Sequence, residues 1–340
     1  MKKKALAFCV IVLAALVLAE PHVQSGVKEA VRSLISMRQE NEQSEAAVPS
    51  FSQQIGGHDR TDMLDVTLYY RFADTEVLGA QRAQLDIRRE ETVATSIVQQ
   101  LIDGPDMSHP KLGGVFPQGT ELISVSGEDT TAFVTLSARF LGKPDGAPAD
   151  WEDSFAWQEE AALRRRLAVQ SIVLALTEGG RYQRVQLYVA DSDDDIPQRV
   201  PMVYFDPYAE EFSVVLGANS RDESAMLTPQ RTMEMILEAW RMRDEELLHA
   251  FLAPEKGEEL PALSVFAAEM NRMDISLLSG SASAGTVSID GKTATVVVDA
   301  FIRSGEGGDA QIRRESVPLV RMEDNWAIGM DTLQSLMIRD

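Results

Sequence analysis

Between Leu64 and Val189 the spacing of apolar residues switches repeatedly between two residues and three to four, and that switching restricts the chain to a mixed fold. Asp65-Val66-Thr67-Leu68-Tyr69-Tyr70-Arg71-Phe72 alternates as a strand does, and a second extended run covers Leu78 to Ile87. Val93, Ile97, Val98, Leu101 and Ile102 then share one helical stripe behind Glu90-Glu91, and Gly104-Pro105 stops it. Leu122 to Ser126 and Ala132 to Leu136 flank Gly127-Glu128-Asp129 as a hairpin. A helix from Trp157 to Leu176, ended by Gly179-Gly180, leads into a strand from Val185 to Val189. The order strand, strand, helix, strand, strand, helix, strand predicts an α+β fold with two helices on one face of a sheet.

The same residues carry a resemblance. VTLYYRF, LIDGP, VFPQGTELISVSGEDTTAFVTLSARF, LAVQSIVLALTE and VQLYV, in this order, resemble a GerMN domain, the sporulation and spore-germination module, across residues 64–217. Its matched positions are Leu101, Gly104, Pro105, Pro117, Gly119 and Thr120. Gly104 can end a helix at positive φ, Pro105 prevents its continuation, and Gly119 permits a tight entry to the next strand, so these residues read as fold determinants. The resemblance implies kinship with ring-building motifs of envelope assemblies and no family catalytic residue. It also implies action through protein–protein assembly during sporulation or germination.

Pro207 to Ser224, with Gly217, Asn219 and Ser220, breaks the composition and marks a domain boundary. Thr228 as N-cap with Pro229 at the first helical position opens a helix carrying Ile236, Leu237, Trp240, Leu247, Leu248 and Phe251, broken near Arg243-Asp244. A short helix from Leu263 to Met270 follows. Strands are then predicted over Ile275 to Ser281, Ala284 to Ile289, Thr293 to Arg303, Ile312 to Arg321 and Trp326 to Gly329, with a turn at Asp290-Gly291. This order of elements over 228–338 resembles the nuclear transport factor 2-like cone, helices against a curved antiparallel sheet. Cones of that kind sometimes host a ligand, so Trp240, His249 and Trp326 are its cavity candidates. An envelope small-ligand binder or enzyme using that cavity is the alternative function.

Lys2-Lys3-Lys4 precede an apolar run from Ala5 to Ala19, which as a helix would be about 22 Å long, short of the roughly 30 Å hydrocarbon core. Residues 1–20 therefore read as an export signal, either cleaved near Ala19 or retained as an anchor on the outer face of the cell membrane. Residues 21–63 read as a short helix, with Val27, Val31, Leu34 and Ile35 on one face, and a flexible tether. Relatives in the GerMN family often carry a lipid-modified cysteine here; the single Cys9 lacks the flanking residues and reads as part of the apolar helix. The net charge of −21 sits in the later blocks, since residues 64–227 hold 14 basic and 27 acidic side chains and residues 228–340 hold 11 and 19. That balance argues against a nucleic-acid partner and against an anionic lipid surface beyond the N-terminal segment. The expected partners are other envelope or sporulation proteins, or further copies of the chain.

No set of residues with catalytic, cofactor-binding or metal-ligating spacing emerges. Ser108-His109-Pro110-Lys111 has the Ser-x-x-Lys spacing of penicillin-binding enzymes, but Pro110 disfavours the helical turn that would bring amine to hydroxyl. Asp191 to Asp195 alternates oxygen ligands as a calcium loop does, yet Ile196 stands at the glycine position and Met202 at that of the bidentate glutamate. His22, His58, His109 and His249 lie in separate segments. Gly305 to Gly308 lacks the Lys-Ser/Thr of a phosphate loop. Arg164-Arg165-Arg166, beside Glu159-Glu160, reads as a solvated helix face with local ion pairs, and Trp151, Trp157, Trp240 and Trp326 as core or interdomain packing.

Overall fold

The alternating run at the start becomes β1 (Asp62–Phe72), which pairs antiparallel with β2 (Leu78–Ile87) and, through Arg71 and Phe72, with the short β3 (Leu112–Gly113). Helix α1 (Val93–Asp103) follows β2; Thr92 caps it, its Oγ1 accepting from the Thr95 amide, and Ala94, Ile97, Val98 and Leu101 are its buried face. A second sheet contains β4 (Leu122–Glu128), β5 (Thr131–Ser137), β6 (Arg184–Ala190) and β7 (Gln198–Arg199) in that order, with β8 (Asn219–Ser220) also on β6. β5 and β6 run parallel, joined through α2 (Phe155–Thr177). The computed structural model describes residues 62–337 apart from 88–91, 193–194, 210, 255–258, 274, 306–307, 309 and 324.

The α+β class and the order of elements are those predicted, but the strands divide between two sheets. Helix α2 explains why. It packs against β1 of the first sheet and β6 of the second, and from residue 167 onward its buried residues occupy every side: Leu167, Ala168, Val169, Ser171, Ile172, Val173, Leu174, Ala175 and Leu176. A helix apolar all round needs a surface on each side, which one sheet cannot supply. Ser171 ties it to the first sheet, its Oγ donating to Tyr69 O at 2.6 Å in a fully buried bond.

The predicted hairpin forms with its turn two residues later. Gly127 and Glu128 belong to β4, and the turn falls at Asp129, whose φ of 52° is a left-handed conformation that Asp tolerates. Gly127 is a glycine for a different reason: a Cβ there would lie 2.8 Å from the Tyr182 ring.

In the second half, Thr228 Oγ1 accepts from the Arg231 amide (3.1 Å) and opens α3 (Pro229–Met242). Arg243, at φ 58°, ends it, and Asp244 caps α4 (Glu245–Ala250) through the Leu247 amide (2.9 Å), so the predicted break is where the sequence places it. β9 (Leu252–Ala253) and α5 (Leu263–Arg272) lead to β10 (Ile275–Ala282), β11 (Thr286–Val287), β12 (Thr293–Ser304), β13 (Ala310–Arg321) and β14 (Trp326–Gly329), in the sheet order β10-β12-β13-β14-β9 with β11 on β12. Ala294, Val296, Val298, Ala300 and Ile302 alternate inward along β12. Helix α3 packs on β10 and β12, with Met233, Ile236, Leu237 and Trp240 buried. A final helix, α6 (Met330–Met337), is not anticipated by the sequence reading; it buries Leu333, Leu336 and Met337.

The composition break at 207–224 is not a free linker. Met202 and Leu216 donate to Val214 O and Val200 O at 2.8 Å each, and Asn219–Ser220 is a strand on β6. The two halves lie in one unit, Thr61–Asp340. Phe72 meets Phe251 with ring centroids 5.0 Å apart, Lys111 Nζ donates to Ala250 O at 2.7 Å, and the Leu227 amide donates to Leu78 O at 3.1 Å.

Candidate functional site

The Arg164-Arg165-Arg166 run departs most from the sequence reading. Only Arg164 keeps the expected i,i+4 ion pair, with Glu160 at 2.6 Å. Arg165 is 5% exposed and donates to Leu141 O (2.8 Å), Gly142 O (3.1 Å) and Tyr204 O (3.2 Å), with the rings of Trp151 and Tyr204 at 5.8 and 5.5 Å. Burial lowers its pKa to about 10, so it is still charged at neutral pH. Arg166 donates to Phe205 O at 2.6 Å. A fork of fixed N–H donors suits a buried site that offers only carbonyl acceptors. The run is a clamp that fastens residues 201–216 to α2.

That fastened segment presents aromatic side chains to solvent. Tyr208 is 70% and Phe212 67% exposed, and Val214 and Phe155 are exposed beside them. Tyr208 packs edge-on against Phe155 (5.3 Å) and donates to Glu159 Oε1 (3.1 Å); Phe212 packs edge-on against Tyr204 (6.5 Å). Large apolar side chains thus lie outside the core on a segment held by buried charge–carbonyl bonds, as an exposed ledge.

A second buried cation braces the start of α2. Arg71 donates to Asp74 O (2.7 Å) and Thr75 O (2.8 Å) and pairs with Glu160, which also accepts from Arg164. Burial pushes the Glu160 carboxyl up, but hydrogen bonds and charge from Arg71 and Arg164 outweigh it and hold the group below the usual carboxylate range. The six family-motif residues sit at turns and in the core. Leu101 is fully buried; Gly104 (φ +95°) ends α1 before Pro105; Pro117 O accepts from both the Thr120 amide (3.1 Å) and Thr120 Oγ1 (2.7 Å); Gly119 (φ +81°) lies over the Arg139 side chain.

The three cavity candidates of the second half have different settings. Trp326 is buried under Arg321, whose guanidinium stacks 5.4 Å from its ring, and lines a cavity of about 210 Å³ between the two halves. Trp240 borders a separate gap of about 20 Å³ with Leu248 and Met273. His249 donates Nε2–H to Pro261 O at 2.7 Å, edge-on to Phe266. Near the larger cavity Tyr69 donates to Glu178 Oε2 (2.9 Å) and Arg221 reaches Glu178 (3.0 Å); burial, then the Glu178 charge, push the Tyr69 hydroxyl up to about 12.

The Ser-x-x-Lys spacing forms no helical turn: residues 108–111 are in a turn, and the Lys111 amine reaches across to Ala250 O. Ser192 Oγ donates to Asp195 Oδ2 at 2.9 Å, while Asp193 and Asp194 lie outside the described residues. Among the described residues no group of three or more His, Cys, Asp or Glu is placed to hold a metal ion, and no helix is long and apolar enough to cross a membrane. Cys9, His22, His58, the export segment and the tether all fall outside the described residues.

These elements define a two-part α+β protein: two sheets around one buried helix, then helices packed on a mainly antiparallel sheet. Residues 67–195 match the Germane family model, described as sporulation and spore germination. The match supports a GerMN-type domain over that segment and relates the protein to sporulation or germination. Among solved structures the chain is similar to the tandem GerMN domains of the sporulation protein GerM from Bacillus subtilis, at 19% identity over 43% of this chain and 48% of that one (TM-score 0.28). It is also similar to a putative lipoprotein from Clostridium perfringens, at 15% identity over 49% of this chain and 94% of that one (TM-score 0.26). The first GerMN domain of GerM aligns at 19% identity over 38% of this chain and 84% of that one (TM-score 0.25). The chain spans about half the length of the tandem GerM structure. A search of curated proteins finds no match.

Proposed function

We propose that the chain is a non-enzymatic, exported envelope protein of sporulation or spore germination that works by binding other proteins, held at the outer face of the membrane or released there by its N-terminal segment. The 64–217 domain supplies the binding surface and the 228–338 part, a nuclear transport factor 2-like cone, braces it. The observation that carries the reading is the ledge of Phe155, Tyr208, Phe212 and Val214, exposed yet fastened by Arg165 and Arg166, within the protein whose 67–195 segment matches the sporulation and germination family. A surface meant only for solvent gains nothing from a rigid display of rings. The family match supports the biological setting, and the engagement of Lys111 with Ala250 O supports the non-enzymatic part.

The experiment places a photo-crosslinking residue at Tyr208 and irradiates intact sporulating cells. Crosslinks to an envelope protein, lost when Phe212→Ser accompanies the label, are expected. Since these side chains are exposed, Tyr208→Ser with Phe212→Ser should leave the melting temperature within about 2 °C of the parent. Crosslinking indifferent to Phe212→Ser, or sporulation and germination unaltered on gene deletion, refutes the reading.

A further inference from the structure

Strands β12 and β13 pair along nearly their whole length, and residues directly opposite each other share a face of the sheet. Alternate residues of β12, from Ala294 to Ile302, turn inward; the other face carries Phe301 opposite Ile312, Asp299 opposite Arg314 and Thr293 opposite Val320. Ile312 is 79% exposed, and Phe301 and Val320 are exposed with it. We propose that this outer face is a docking surface for a second copy of the chain, joined about a two-fold axis that runs parallel to the strands between β12 and β13. The face belongs to the 228–338 part and shares no residue with the ledge of Tyr208 and Phe212.

Charge selects the occupant. The chain carries −21 overall, and residues 228–340 hold 11 basic and 19 acidic side chains, so most approaches of a second copy are repulsive. The outer rows of β12 and β13 depart from that balance, with Arg303 and Arg314 against the single acid Asp299. Symmetry then sets the register. An axis along the strands places every residue over the copy of its own cross-strand neighbour: Asp299 over Arg314, Arg314 over Asp299, and Phe301 over Ile312. An axis across the strands at that row would set Asp299 over Asp299 and Arg314 over Arg314. In the adjacent β10, Ser279 and Ser281 lie opposite Phe301 and Asp299 and are short enough to let two such faces approach. Strand addition at the sheet edge is the competing mode. Among the described residues β13 meets β14 only at Val320 and Arg321, and the stretch before them contains Pro318, which has no N–H to offer an added strand. At about 3.3 Å per residue and about 4.8 Å per strand, β12, β13 and the shorter β10 cover roughly 1,000 Å² over two copies, the size of a specific but weak interface, so dissociation in the micromolar range is expected.

The test is sedimentation of the full chain from about 1 to 200 μM, where a reversible monomer–dimer equilibrium is expected. Asp299→Arg gathers four arginines at the centre of the dimer and Arg314→Asp four aspartates, so each alone should weaken association at least about tenfold. An equimolar mixture of the two variants should associate at least as tightly as the parent, because every arginine then faces an aspartate. Both side chains are exposed, so the melting temperature of each variant should stay within about 2 °C of the parent. Ile312→Asp leaves the charged row intact, reads the apolar contact whether or not the charge variants fold, and should also weaken association at least about tenfold. A chain that stays monomeric at about 200 μM, whose face then serves a different protein, overturns the proposal. So does self-association unchanged in all three variants, which would place the contact elsewhere, or a mixture no tighter than the separate charge variants.

Discussion

Arg165→Met is the sharpest test of the clamp, because methionine keeps the aliphatic stem and removes only the fork. Three carbonyls, of Leu141, Gly142 and Tyr204, then lose their donor inside the protein. Leaving a buried acceptor unmet costs about 1–3 kcal/mol, but Leu141 and Gly142 share one nitrogen, so the three together cost about 3 kcal/mol rather than three full penalties. Loss of the stacking on Trp151 and Tyr204 adds to this, while release of a desolvated charge offsets part of it. A net of about 3 kcal/mol is a large share of a domain's total and lowers the melting temperature by roughly 6–12 °C for a unit of this size. The loss is local first. Residues 201–216 should open ahead of the rest, seen as faster exchange of the Met202 and Leu216 amides and as protease cleavage near Tyr208. Arg165→Lys keeps charge without the fork and should fall between the two. A methionine variant that melts within about 2 °C of the parent and resists protease equally would refute the clamp.

Two further substitutions probe neighbouring features. Gly127→Ala pushes a Cβ to within 2.8 Å of the Tyr182 ring and should cost about 1–3 kcal/mol by urea unfolding, whereas a hairpin turn at 127–129 would tolerate it. Glu160→Gln leaves the buried Arg71 with a neutral partner and should cost about 2 kcal/mol at pH 7, discounted for the partial exposure of the pair. Because the Glu160 carboxyl is held below its unfolded value, its contribution is fully present above the ordinary carboxylate range and is lost as pH falls through the lowered folded value. The parent and variant unfolding curves should therefore converge as pH falls below the ordinary carboxylate range and through that lowered value. A gap that persists in acid would assign the effect to packing.

What was legible in the sequence is what depends on one element at a time. The Ile97-Val98-Leu101 stripe of α1, the Thr228-Pro229 helix start and the break at Arg243-Asp244 follow from local chemistry and form as read, while Val93 at the head of that stripe stays exposed and Ala94 is buried instead. What was not legible depends on two elements meeting. Gly127 looks like a turn residue until Tyr182 is seen over it. Asn325, buried with neither amide function partnered, looks in the sequence like any polar residue before a strand-forming Trp326. The final helix α6 was missed because eight residues with three buried apolar side chains give too short a period to separate from a strand.

The arginine run combines both cases. On a helix, three successive cations span about 200° of the circumference, so an apolar stripe wider than about 160° takes at least one of them inward, and the usual reading lets it snorkel to the edge. Arg165 lies on the stripe of α2 that the sheets cover, in line with Ala161, Ala168 and Ile172, whereas Arg166 next to it stays exposed. Arg165 therefore cannot escape, and the chain supplies carbonyls from Leu141, Gly142 and Tyr204 in place of water. Those carbonyls come from the segment before α2 and the segment after β6, so one side chain holds both in fixed relation to the exposed rings of Tyr208 and Phe212. An arginine on the covered stripe of such a helix should thus be read as an internal fastening, and the surface worth testing for partners is the one it fastens.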